Sequence, residues 1–170
     1  MDLARSICHK GHVPYEDFLF PTRYLDGAAL TYLKRLNIVS PSRKPRTNEE
    51  LNLLGAYVKA PNPGRYKWVY DLDLTSLYPS IIMTLNVSPE TKIGKIEDFD
   101  GHKYIKDIPM EYSMGSDGWE SPKALRSYLT ENKYSIAANG VIYDTKQKGF
   151  ISSILEKWFA ERVEYKNLRK

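Results

Sequence analysis

The stretch DLDLTSLYPSIIMTLN, residues 71–86, constrains the fold more than any other part of the chain. It continues the run YKWVYDLDL at 66–74, whose alternation of side chains is typical of a β-strand. In a strand, aromatic and leucine side chains would share one face, while Asp71 and Asp73 would share the other. The pattern therefore predicts a strand that ends in two carboxylates.

A helix is predicted to follow this strand directly, over 77–86. Ser76 is a plausible N-cap, and Pro79 falls in the first turn, where a missing N–H costs little. The Asp73 carboxylate could hold a hard cation such as Mg²⁺, while the first-turn amides would favour a phosphate. Metal-assisted phosphoryl or nucleotidyl transfer needs these two sites side by side. Strand–turn–helix corners also occur without any function, so the corner alone leaves both interpretations open.

The C-terminal pattern, 150–170, predicts a helix whose buried stripe changes character along its length. At about 100° per residue, five apolar side chains share one face: Ile151, Ile154, Leu155, Trp158 and Phe159. Three cations continue that face: Arg162, Lys166 and Arg169. An amphipathic helix normally keeps its buried stripe apolar. The change favours a helix that points cations at an anion, and the alternative is a helix that is simply solvated from residue 162 onward.

Other segments have weaker patterns. Residues 2–10 resemble a helix closed by Gly11, and a second helix is expected from about Asp26 within 23–36. Ser121-Pro122 is a good start for a helix over 122–131.

Strands are also predicted in two other segments. GAYVKAP at 55–61 is expected to form a strand. YSIAANGVIYDT at 134–145 is expected to form a hairpin, with Asn139-Gly140 in a type I′ turn. Residues 97–133 are otherwise polar and weakly patterned, and the proline-containing, basic stretch 40–50 is expected to be an exposed loop.

Composition excludes several classes of protein. Apolar residues make up 42% of the 170 residues and charged residues 27%, which is typical of a globular chain. A single cysteine, Cys8, rules out an internal disulfide framework and suits the cytoplasm. The three histidines lack zinc-ligand spacing, and no run is apolar enough for a membrane span or a signal peptide. The formal charge of +4 permits a polyanionic partner without requiring one.

One motif resembles a known enzyme family. DLTSLYPSII at 73–82 is similar to D-x-x-S-L-Y-P-S-I-I, the first catalytic motif of family B DNA polymerases, and NVSPET follows at 86–91 as in many members. GAYVKAP resembles the family's upstream G-G/A-x-V-x-x-P segment. Residues 139–166 resemble the family's hairpin and first fingers helix, with Ser152 in place of the usual proline. The resemblance is strong over 55–96 and 134–170, and it points to replicative polymerases of tailed phages.

This resemblance implies roles for residues of the corner. Asp73 would be the catalytic carboxylate and a Mg²⁺ ligand, joined by the backbone carbonyl of Leu74. Ser76 and Leu77 would meet the incoming triphosphate through backbone N–H groups. Tyr78 would be the steric gate that rejects ribonucleotides. The alternatives are a surface aspartate, a capping serine and a core tyrosine.

Further roles follow from the resemblance. Arg162 and Lys166 occupy positions that grip the triphosphate in the family. Asp71 departs from the family's usual uncharged residue, and we interpret it as an exposed bystander. Candidate DNA contacts lie in the upstream segment and in the basic loop, for which a solvated loop is the alternative. These candidates are Gly55, Tyr57, Arg43, Lys44 and Arg46.

The resemblance implies an α+β fold: part of a polymerase palm, with a small antiparallel or mixed sheet, plus one long fingers helix. We expect a helical connection from an exonuclease region with the exposed loop over 1–50, the palm part over 51–148 and the fingers helix over 149–170. The family's Y-G-D-T-D-S and K-x-x-x-N-S-x-Y-G motifs are absent from the sequence. We therefore expect a fragment, or one piece of a split polymerase, that does not extend primers alone.

The expected partners are primer–template DNA, deoxynucleoside triphosphates and the remainder of the polymerase or a second polymerase chain, in the cytoplasm of a phage host and without a membrane. The expected cofactor is a Mg²⁺ pair that this chain binds only in part. The alternative from another class is a non-catalytic nucleic-acid-binding or scaffold module. A different Mg²⁺ phosphotransferase using Asp71 and Asp73 is disfavoured, because the sequence has no Walker-type glycine loop.

Overall fold

A computed structural model describes residues 2–40, 42 and 58–168 of the chain. Helices form most of its regular structure. They are α1 (Asp2–Gly11), α2 (Pro21–Arg35), α3 (Leu77–Leu85), α4 (Gly101–Ile105), α5 (Pro122–Asn132) and α6 (Phe150–Leu168). A 3-10 helix at Tyr15–Leu19 connects α1 to α2. No helix in the described ranges is both long and apolar enough to cross a bilayer.

The strands are short and antiparallel. They are β1 (Lys92–Lys95), β2 (Tyr112–Met114), β3 (Asp117–Trp119), β4 (Tyr134–Ile136) and β5 (Val141–Asp144). β5 lies between β1 and β4 in a three-stranded sheet, and β2 and β3 form a separate ribbon. Ile142 is opposite Gly94 of β1 and Ile136 of β4. This mixture of helices and small antiparallel sheets confirms the predicted α+β class.

The main core lies between α5, the three-stranded sheet and the β2–β3 ribbon. Its buried members come from all three layers: Ile96, Tyr112, Leu125, Leu129 and Ile142. Aromatic side chains extend it, with Phe99, Tyr104 and Tyr112 in mutual ring contact. The core therefore draws heavily on 97–133, where the sequence pattern was weak.

The helix predictions agree with the structure to within a few residues. α1 ends at Gly11 as expected, whereas α2 begins at Pro21 rather than near Asp26. Proline suits the first helical position, since its fixed φ is already helical. Ser121 caps α5 by accepting a hydrogen bond from the Ala124 amide at 3.3 Å.

The predicted hairpin forms, but its turn is different. Gly140 has a positive φ of 81°, whereas Asn139 does not, so a type I′ turn is wrong. The Gly140 amide donates to the Ala137 carbonyl at 2.9 Å, and the Ala137 amide donates to the Val141 carbonyl. This pattern is typical of a type I turn followed by a left-handed glycine, the common solution for slightly longer hairpin loops.

The strand predicted over 66–74 does not form. The segment is exposed along its whole length, with Trp68 at 89% and Leu72 at 94%, and Trp68 adopts a left-handed φ of 61°. Strand hydrogen bonds need a neighbouring strand, and the sheets of the described residues do not include this segment. The strand predicted over 55–61 is likewise absent at 58–61, and its first three residues lie outside the described ranges.

Candidate functional site

The N-terminus of α3 has an unusual backbone. Ser76 immediately precedes the helix in a left-handed conformation, with φ 52° and ψ 47°. Its carbonyl accepts the first helical hydrogen bond from the Ser80 amide at 3.0 Å, but its side chain caps no amide. The expected capping role of Ser76 is therefore wrong, because a normal N-cap needs an extended backbone to turn its oxygen back onto the helix.

The Ser76 side chain instead bonds to Arg162 of α6. The guanidinium Nη1 donates a hydrogen bond of 3.0 Å to the Ser76 hydroxyl, across 86 residues of sequence. The contact sets a positive charge beside the amide end of α3, which itself attracts anions. Two residues that the sequence assigned to one nucleotide-binding corner are thus in direct contact.

The first, apolar half of α6 packs against α3, and the rest of α6 faces solvent. Ile154 is buried, the other four apolar residues of the predicted stripe are half-buried, and residues 162–168 are exposed. The buried Ser152 donates a hydrogen bond to the Ile82 carbonyl of α3 at 3.2 Å. The outer part of α6 is therefore solvated, as the alternative expected, and yet Arg162 reaches α3.

The remaining candidates of the corner are exposed. Tyr78 is 70% exposed and Leu74 is 69% exposed, while Asp73 and Leu77 also face solvent. Tyr78 is therefore not a core tyrosine. Asp73 is a surface carboxylate shortly before α3. This position is compatible with a metal-binding role and also with the alternative of an ordinary surface aspartate.

The side chains near Asp73 support the expected Mg²⁺ site only in part. Asp73 offers one carboxylate of the hard-oxygen type that Mg²⁺ prefers. Within the described residues, no three His, Cys, Asp or Glu side chains are close enough together to hold a metal ion. Because 66–74 is not a strand, the argument that Asp71 and Asp73 share a face also fails. Asp73 would thus hold such an ion only together with ligands from outside the described residues.

The other candidates are not brought into the corner. Lys166 lies one turn beyond Arg162 on α6 and is exposed. The five candidate DNA contacts lie outside the described residues: Arg43, Lys44, Arg46, Gly55 and Tyr57.

A separate cavity of about 250 Å³ lies between α1, α2 and α6 and has a basic lining. Lys10 and Arg35 line it, and both are in the last turns of their helices. Cations at that position stabilise the helix dipole by themselves. Lys10 is also paired with Glu161. The Lys10 and Arg35 cations of this cavity therefore have a structural role.

Residues 86–91 help to hold the site in place, and the sequence did not predict this role. Asn86 and Glu90 bond to the segment 144–150 that leads into α6, and Thr91 donates to the Asn86 carbonyl. The only sequence signal was the position of NVSPET directly after the first motif.

Comparison with known proteins identifies the family. The family model for DNA polymerase family B matches residues 25–170. The DNA-directed DNA polymerase of Escherichia phage RB69 is 31% identical over 166 residues, and that of Enterobacteria phage T4 is 30% identical over 166 residues. Each alignment covers 98% of this chain and 16% of the phage protein.

Another relative shares a shorter region. The DNA polymerase of Pyrococcus horikoshii is 46% identical over 61 residues, which is 32% of this chain and 5% of that protein. The chain thus spans about one sixth of the length of its two phage relatives. With a family match over most of its length, the chain belongs to DNA polymerase family B.

Proposed function

We propose that the chain forms part of the nucleotide-addition site of a DNA-directed DNA polymerase. The contact between Arg162 and Ser76 supports this proposal most directly, since it joins the first motif to the expected triphosphate-binding helix. A cation beside a helix N-terminus is the arrangement that binds an anionic phosphate group. The family match and the phage relatives supply the reaction class.

Each residue of the corner has a role in this proposal. Arg162 and Lys166 bind the triphosphate, Arg162 as a planar fork and Lys166 as a point charge. The amides of Ser76 and Leu77 donate to the same group. Tyr78 lies under the sugar and excludes a 2′-hydroxyl.

Asp73, with the Leu74 carbonyl, would hold one side of a Mg²⁺ site. The bound metal would supply charge neutralisation at the phosphates. Residues outside this chain provide the second carboxylate. Asp71 is a bystander at the same approach.

The proposed partners follow from the reaction. They are primer–template DNA, deoxynucleoside triphosphates and the rest of the polymerase, either in one chain or as a second one. The basic loop residues and the upstream segment 55–57 are proposed DNA contacts. A location in the host cytoplasm is part of the proposal, and the phage source of the two relatives supports it.

Replacing the carboxylate tests this proposal, with a matched control two residues away. In the complete polymerase, Asp73→Asn keeps the size of the side chain and removes its charge. We expect it to lower kcat for deoxynucleotide addition by about 1000-fold or more, because a catalytic metal ligand is lost. Asp71→Asn is expected to change kcat by less than about twofold. Equal effects of the two substitutions in a primer-extension assay would contradict the assignment.

A further inference from the structure

Asn86 terminates α3 and bonds to three backbone groups that are distant in sequence. It has a left-handed φ of 57°, and its residue is only 6% exposed. Its Nδ2 donates to the carbonyls of Asp144 at 2.6 Å and Gln147 at 2.8 Å, and its Oδ1 accepts from the Gly149 amide at 2.8 Å. The amide side chain is therefore engaged at both its ends by the connection between β5 and α6.

Neighbours of Asn86 strengthen the same connection. Glu90 accepts a hydrogen bond from the Phe150 amide at 2.6 Å, at the first residue of α6. Thr91 donates to the Asn86 carbonyl at 2.6 Å, and its own carbonyl accepts from the Asp144 amide at 2.8 Å. The bonds from Thr91 to Asn86 and from Gly149 to Asn86 are buried, and such bonds fix one backbone arrangement because each unsatisfied group would carry a desolvation cost.

α3 and α6 consequently lie side by side in opposite directions. Asn86 meets Gly149 at one end, Ile82 meets Ser152 between, and Ser76 meets Arg162 at the other end. Arg162 is twelve residues after Phe150, so it lies about 18 Å along the helix axis. A tilt of about 10° at the base would move Arg162 by about 3 Å, which is enough to break its hydrogen bond to Ser76.

We propose that Asn86 is a positioning residue for nucleotide addition. Its side-chain amide fixes the direction in which α6 leaves the β5 connection, and thereby sets the position of the Arg162 guanidinium at the triphosphate. Asn86 touches neither substrate nor metal in this account. The inference rests on the proposed function of Arg162.

The substitution must separate the amide from the backbone conformation. Asn86→Gly keeps the left-handed conformation, which glycine adopts freely, and removes all three side-chain bonds. Asn86→Asp is a second variant, which keeps the size and the acceptor for Gly149 and loses the donor to the two carbonyls. Asn132→Ala is the control, since it removes one amide-to-carbonyl bond within α5, to Tyr128.

The measurement is a double-mutant cycle in the complete polymerase, with kcat/KM for the deoxynucleotide and Kd for primer–template as readouts. We expect Asn86→Gly to lower kcat/KM by about tenfold alone and by less than about twofold in the Arg162→Ala background, with primer–template Kd unchanged. Asn86→Asp should depend on the background in the same way with at least as large a loss, because a carboxylate oxygen would face the two carbonyl oxygens, and Asn132→Ala should be close to wild type.

The outcomes distinguish the inference from the function on which it rests. Equal losses in both backgrounds, or a loss that follows the melting temperature of each variant, would show a merely structural role and overturn the inference. A loss with Arg162→Ala but none with Asn86→Gly or Asn86→Asp would also overturn it, leaving the proposed function intact. An Arg162→Ala variant with wild-type kinetics would overturn the proposed function itself.

Discussion

At the scale of single residues, the corner before α3 depends on the backbone of Ser76. The left-handed conformation turns its hydroxyl toward α6, where Arg162 donates to it, and leaves the helix amides without a side-chain cap. Uncapped amides and a cation together form a surface that favours an anion. The residue therefore contributes to the site through its conformation as much as through its hydroxyl.

The exposed Tyr78 ring gives a prediction about sugar selection. In the complete polymerase, Tyr78→Ala should raise ribonucleotide incorporation by about 100-fold or more relative to the wild type. Deoxynucleotide use should stay nearly intact, because only the obstruction to a 2′-hydroxyl is removed. The measurement is kcat/KM for a ribonucleotide and its deoxynucleotide counterpart. An unchanged ratio of the two values would rule out the gate.

The buried Tyr112 gives a prediction about pH. Burial, with smaller contributions from Tyr104 and Asp100, raises the pKa of the Tyr112 phenol above its ordinary value of 10.0. The unfolded chain then releases this proton at a lower pH than the folded protein does. The stability contributed by the neutral phenol is thus complete below pH 10 and is lost as the pH rises from there through the folded pKa.

Tyr112→Phe should make this alkaline loss shallower. The Tyr112 hydroxyl has no hydrogen-bond partner in the described part of the chain. The free energy of unfolding near neutral pH should therefore stay the same or rise by up to about 1 kcal/mol. Denaturant titrations near neutrality and above pH 10 measure both effects. A variant that is less stable at neutrality would indicate that the hydroxyl has a partner in solution.

At the scale of elements, long periodic segments were predictable and short ones were not. α5 begins at its predicted Ser121-Pro122 start, and α6 has the predicted helical spacing of apolar residues in its first half. β2 and β3 have three residues each and pair with each other across the turn at Gly115 and Ser116, so each strand is too short to show a clear alternation of its own. The β4–β5 loop shows the same limit, since its glycine was recognisable but its turn type was not.

That glycine gives a prediction for the hairpin. A Cβ on Gly140 would lie 2.6 Å from the Phe99 Cβ, and the residue has a φ of 81°. Gly140→Ala should therefore lower the free energy of unfolding by about 2–4 kcal/mol, from backbone strain plus overpacking. Gly115→Ala is the control: its φ of 61° is also left-handed, but nothing lies within 4 Å of the added carbon.

The control should lose only about 1–2 kcal/mol. Denaturant titration of both variants measures the difference. Equal losses would show that the contact with Phe99 relaxes and that only the backbone conformation matters.

At the scale of the whole molecule, the exposed segment 58–75 shows what sequence alone could not decide. Its alternating pattern resembles that of a strand, but Trp68, Tyr70 and Leu72 face solvent and no described strand pairs with it. A local pattern specifies which residues could share a face, whereas a sheet forms only when a partner strand supplies hydrogen bonds. The contact between Ser76 and Arg162 could be predicted because it does not depend on a partner strand. The helices α3 and α6 each make their own backbone hydrogen bonds, and they pack against each other through apolar faces.

The most direct test of the account is the triphosphate role of Arg162, measured as deoxynucleotide kcat/KM in the complete polymerase. Lys157→Ala is the matched control, since Lys157 is another exposed cation of α6. We predict that Arg162→Ala lowers kcat/KM by about tenfold to 100-fold while the helix stays folded, and that Lys157→Ala leaves it within about twofold. Wild-type kinetics for Arg162→Ala, or equal losses for the two variants, would contradict the account.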